Sequence, residues 1–155
     1  MFADNTLVRF NTSKEAIFIV NNEQDVAIIS IQNPAVRQHL NLNQTLSVNM
    51  EIPVHVMGYS QETGLQTCVN EFSLAKDMED EFLFYNACLE SQVSGAPVLQ
   101  MNGKSELTVV GVHNSYSTKD EFPSMATTVS TIRKWLRSDE SSVPDGQKGK
   151  LLELF

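Results

Sequence analysis

Short bursts of β-branched and aromatic residues, cut apart by turn-forming pairs, constrain what this chain folds into more than any other feature. They run over 14–20, 25–31, 51–59, 65–74, 81–85, 97–101, 106–114 and 125–129. Asn-Asn, Asn-Pro, Asn-Gly and Ser-Gly pairs lie between them. Many short strands at near-regular spacing, with turns between, predict an all-β barrel or sandwich. Asn102-Gly103 sits between two apolar runs and predicts a hairpin. One helix is expected, late in the chain. Val129, Ile132, Trp135 and Leu136 share one face of a 3.6-residue period. Thr127 or Thr128 can cap its start, and Arg133, Lys134 and Arg137 suit its end. From 139 to 155 the chain turns polar and is expected to be a disordered tail. Its closing Leu151-Leu152-Glu153-Leu154-Phe155 is apolar, either a docking peptide or the start of something cut away.

With 155 residues the chain can bury a core without staples. Its formal net charge of −8 repels phosphate backbones, so nucleic acid and anionic membrane surfaces are excluded as first partners. The apolar runs are far short of a membrane span, and the first residues carry no signal-peptide pattern. Cys68 and Cys88 make no disulfide framework, so a reduced, intracellular setting is the simplest expectation. No Cys/His cluster has metal-ligand spacing and no Gly-rich loop precedes a helix, so no metal or cofactor is expected. The acidic run 77–81 reads as a solvated loop.

The stretch 90–99 is the richest in chemistry. In it the small residues Ser94-Gly95-Ala96 lead directly into the strand from Pro97. Small residues let a backbone turn sharply and let another chain approach. Such a loop can hold a serine exposed with neighbouring N–H groups aimed at one point, as an acyl-transfer nucleophile requires. It is equally the composition of a tight turn before a strand, which is the simpler reading of this segment alone.

Ser94-Gly95-Ala96-Pro97-Val98 resembles the nucleophile loop of the trypsin-like (chymotrypsin-fold) serine peptidases. Asp25-Val26-Ala27-Ile28-Ile29 resembles the strand that carries the family's triad aspartate. Val56–Ser60 resembles the first strand of its second barrel, and Val109–Asn114 its substrate-binding strand. The helix with Trp135 falls where the family has its C-terminal helix. These features occur in the family's order and cover about residues 6–138.

The resemblance implies a compact, chymotrypsin-like β-barrel fold. Residues 1–45 would be the last strands of a first barrel and the inter-barrel linker, and 46–138 a complete second barrel with its helix. It makes Ser94 the nucleophile and Asp25 the buried acid that orients a base. It puts the oxyanion hole at the backbone N–H groups of Gln92 and Ser94. Gln92 and Val93 stand where the family usually has glycine and aspartate. Gly111, His113, Asn114 and Cys88 would form the substrate-binding wall, with His113 either reading a Glu or Gln side chain or lying half-exposed on its strand. The implied partner is a peptide or protein.

The family's base histidine precedes the aspartate. Here His39, His55 and His113 all follow Asp25. Without a base in reach a serine hydroxyl stays at its free reactivity. Two expectations follow: an N-terminally truncated, inactive endopeptidase segment, or a pseudoprotease that binds a peptide or partner. An orphaned barrel edge would also invite self-association.

Overall fold

A computed structural model describes residues 18–29, 40–42, 52–59, 66–77, 81–87, 93–101, 106–119, 122–138 and 145–152. Nine strands come first: β1 (Phe18–Asn21), β2 (Val26–Ile29), β3 (Asn41–Leu42), β4 (Ile52–Tyr59), β5 (Gln66–Asp77), β6 (Phe82–Tyr85), β7 (Pro97–Met101), β8 (Leu107–Lys119) and β9 (Phe122–Thr128). Two helices follow, α1 (Val129–Arg137) and α2 (Asp145–Leu152).

The strands β8, β7, β4, β5, β6 and β9 are hydrogen-bonded in that order, and β9 returns to pair with β8. The ring is antiparallel throughout, so it closes into a barrel and removes its own edges. The short β3 adds to β8 in parallel from outside. Period-2 alternation explains the filling. Val54 and Val56 of β4 point inward while His55 and Met57 are only half-buried. They meet Leu83, Tyr85, Val98, Val110 and Ala126 in the barrel core.

Of the three register irregularities in the pairings of β8, two shape the wall near the Ser94 loop. Leu99 follows Val98, but their partners are Val109 and Gly111, so Val110 is an extra residue. Likewise His113 pairs Ala126 and Ser115 pairs Met125, so Asn114 is extra. A bulge of this kind bends a strand and re-aims side chains. It lets consecutive residues His113 and Asn114 both be buried.

β1 and β2 form a separate two-stranded antiparallel sheet. Their turn is shaped by Asn21, whose Oδ1 accepts from the N–H groups of Glu23 (3.0 Å) and Gln24 (3.2 Å). This is an Asx-type turn, the role expected of the Asn-Asn pair. Apolar residues Ile19 and Val26 of the hairpin pack with Ile132 and Leu136 of α1.

Helix α1 forms where its periodicity predicts. Thr128 is the N-cap and accepts from the Thr131 N–H, while Val129, Ile132 and Leu136 are buried. Lys134 and Arg137 lie in the last turn, where a positive charge suits the helix dipole. The expectation of a disordered tail is corrected for 145–152, which is helical. Leu151 is buried in the same cluster as Ile19, Val26 and Leu136. Lys148 Nζ donates to the Ser138 carbonyl oxygen at 2.6 Å, at the end of α1. The acidic run is corrected in part too: Asp77 ends β5, and the Glu81 carbonyl accepts from Thr128 N–H and from Thr131 Oγ1. No helix among the described residues is long and apolar enough to cross a membrane.

Candidate functional site

The loop that carries Ser94 lies just before β7. Gly95 has φ +88°, a backbone conformation that disfavours any residue with a Cβ. Gly95 N–H donates to the His113 carbonyl (2.7 Å), His113 N–H to the Ala96 carbonyl (2.9 Å), and Ala96 N–H to the Val93 carbonyl (3.0 Å). The loop is thereby laced to β8. Val93 and Ala96 are buried while Ser94 and Gly95 remain exposed, so the serine is presented outward on a fixed support. Ser94 Oγ donates to the Asn114 carbonyl oxygen at 3.0 Å.

A cleft of about 450 Å³ lies between this loop and the β1–β2 hairpin. The hairpin contributes Asn21, Asn22 and Asp25, and the barrel contributes Ser94, His113 and Asn114. Asp25 and Ser94, far apart in sequence, thus line one cavity. Asp25 differs from the buried acid the resemblance implies. It is exposed, at φ 50° in the last position of the turn. The hairpin's two strands pair only with each other among the described residues.

His113 is 3% exposed, so it is not the half-exposed strand residue of one sequence reading. Its Nδ1 lies 2.6 Å from the Tyr85 hydroxyl, and the two rings meet edge to face. Burial pushes the imidazole below its ordinary value, and a backbone hydrogen bond at Met125 works the other way. Burial also pushes the Tyr85 phenol up, so it keeps its proton. A protonated phenol beside a neutral ring donates to Nδ1 and leaves the ring proton on Nε2.

This predicts a pH dependence. The folded value is depressed below the unfolded one near 6.5, so the unfolded chain binds the proton first as pH falls. The stability contributed by a neutral His113 is fully present above that value and is lost as pH falls through the folded value. Urea midpoints measured at about pH 7.5 and about pH 5 should fall further for the native chain than for His113→Gln. Equal falls would show that burial of this ring does not govern its protonation.

The remaining sequence-derived residues divide. Asn114 lines the cleft. Gly111 packs elsewhere, because a Cβ there would meet the Thr127 carbonyl oxygen at 2.9 Å. Its place is close contact between β8 and β9, not the cleft wall. Gln92 and Cys88 lie outside the described residues, as does His39. His55 is on β4, away from the residues that line the cleft. Among the described residues no group of His, Cys, Asp and Glu is arranged to hold a metal ion. Sequence reasoning missed Tyr85 and Thr127. Both are fully buried, and only their long-range hydrogen-bond partners distinguish them from core residues.

A closed antiparallel barrel followed by a helix, with a cleft against a detached hairpin, is the all-β chymotrypsin-like fold. Among solved structures it is similar to Rv3671c from M. tuberculosis H37Rv, a serine-to-alanine mutant in an inactive form. The two superpose with a TM-score of 0.52 at 19% identity. The match covers 77% of this chain and 62% of that one, so this chain spans less than two thirds of its neighbour's length. No family model matches the chain, and no curated protein sequence matches it.

Proposed function

We propose that Ser94 and Asp25 are two members of a serine-endopeptidase triad whose general base is an imidazole not supplied by the residues that line the cleft. The observation that carries this reading is the shared cleft, with Ser94 on one wall and Asp25 on the other. Asp25 can accept a hydrogen bond, and the Ser94 hydroxyl can donate one. A neutral imidazole has one donor and one acceptor, so it matches both at once. The acid then fixes the tautomer and the free ring nitrogen takes the serine proton as Oγ attacks an acyl carbon. Backbone N–H groups of Ser94 and Gln92 are the proposed donors to the resulting oxyanion. His113 is not that base, because with Nδ1 accepting from Tyr85 its Nε2 already carries the ring proton and cannot take the serine's. It is proposed instead as a floor for the substrate residue before the scissile bond. A neutral ring suits a glutamine amide better than a glutamate carboxylate.

By itself the chain should hydrolyse no peptide above background, since removing one triad member leaves only a residual ~10³–10⁴ over the uncatalysed rate. A fluorophosphonate probe should label Ser94 slowly. Added imidazole, or a fused upstream strand pair bearing His, should accelerate labelling at least tenfold. Asp25→Asn and Ser94→Ala should each remove the acceleration. Unchanged labelling in every case would favour the second reading, a pseudoprotease that holds a peptide in the same cleft. The exposed Val20 and Ile29 on the hairpin support that reading's expectation of a partner or of self-association.

A further inference from the structure

Asn114 and Thr127 form a line of hydrogen bonds between the nucleophile and the hairpin turn. The Asn114 carbonyl accepts from Ser94 Oγ at 3.0 Å. The Asn114 side chain donates from Nδ2 to Thr127 Oγ1 at 3.0 Å. Thr127 Oγ1 in turn donates to the Gln24 carbonyl oxygen at 2.7 Å. That carbonyl belongs to the peptide unit joining Gln24 to Asp25. The line therefore ends on the backbone that holds Asp25 in its left-handed conformation.

Three features show that the line is built in. The bulge at Asn114 turns this side chain inward beside His113. Thr127 is wholly buried and Asn114 is 7% exposed, so neither can exchange these partners for water. The amide orientation is also fixed. Thr127 spends its one proton on Gln24 and so can only accept from Asn114. A flipped amide would set two acceptors against each other. The orientation leaves Asn114 Oδ1 buried and without a partner among the described residues. A buried acceptor left unsatisfied is costly, and it is retained here because the Nδ2 side is needed.

We infer that Asn114 and Thr127 are positioning residues that set Asp25 against Ser94, across a hairpin that among the described residues shares no sheet hydrogen bonds with the barrel. This rests on the triad reading above. Its test is arranged so that the two can fail separately. Thr127→Val keeps the shape and removes the hydroxyl, while Thr127→Ser keeps the hydroxyl. In native-state hydrogen exchange, Thr127→Val should speed exchange across 22–26 about five- to tenfold, the loss of one buried hydrogen bond, and leave 107–112 unchanged. The Asn114 side-chain amide resonances should shift in Thr127→Val and return in Thr127→Ser. In the imidazole-supplemented labelling assay, Thr127→Val should slow Ser94 as Asp25→Asn does, and Thr127→Ser should not.

Unchanged exchange across 22–26 in a folded Thr127→Val variant would overturn the inference, as would a Thr127→Ser variant no better than valine. Altered exchange with unaltered imidazole-driven labelling would reduce the line to a structural tie and overturn the positioning role. If the native chain itself never labels while exchange behaves as described, the triad reading fails and the link to the hairpin stands. Should Thr127→Val not fold, Asn114→Ala cuts the line from the other side and is read by the same exchange.

Discussion

Replacing Leu136 with alanine should cost about 2–5 kcal/mol, a large fraction of the ~5–15 kcal/mol by which a domain is usually folded. Leu136 is 0% exposed, and it sits where α1, α2 and the hairpin meet, with Ile19, Val26, Ile132 and Leu151 around it. The cavity has no simple way to collapse, because its walls belong to separate elements. Urea unfolding should show the loss in the midpoint. Hydrogen exchange should rise first in 18–29 and 145–152, before the barrel strands. Leu151→Ala should repeat the regional pattern, since among the described residues of α2 Leu151 is the one buried in the cluster. A barrel and hairpin that lose protection together would show that the hairpin is not a separately docked unit.

Gly58→Ala should be destabilising by about 1–3 kcal/mol, a large effect for one added methyl. A Cβ at this position would lie 2.5 Å from Val93 Cγ1 and 3.1 Å from Ala96 Cβ. Valine is stiff at χ1 and Val93 is buried, so it cannot swing away. The strain falls on the loop that presents Ser94. Val93→Ala alone should be destabilising through the cavity it leaves. The double variant should nevertheless be no less stable than Val93→Ala, because the new methyl enters vacated space. Such a coupling in a double-mutant cycle identifies direct contact. Simple additivity would show that β4 does not support the nucleophile loop in this way.

Local pattern made much of this architecture legible. Alternating or continuous apolar bursts located eight of the nine strands, and Asn102-Gly103 falls between β7 and β8, which pair from Met101 and Leu107 outward. Residues 102–105 themselves lie outside the described set. The face of α1 and its Thr128 cap were readable because helix period and capping act within one turn. The two-residue β3 carried no periodic signal. Neither did α2. Asp145-Gly146-Gln147-Lys148-Gly149 is a poor helix former, with two glycines that weaken it further. It is helical because Leu151 is buried against the hairpin and Lys148 meets the end of α1.

The candidate site divides in the same way. Ser94-Gly95-Ala96-Pro97 determined a tight, exposed turn, because the backbone freedom of Gly95 and the fixed φ of Pro97 are properties of those residues alone. The sequence also determined which side chains among these residues were available to a serine-type chemistry. Their environments were decided by tertiary structure. The Tyr85–His113 pair spans 28 positions and the Thr127–Gln24 bond 103. No local preference encodes contacts over such separations. They exist because the barrel closes β9 onto β8, a bulge turns Asn114 inward, and the helices pack against the hairpin.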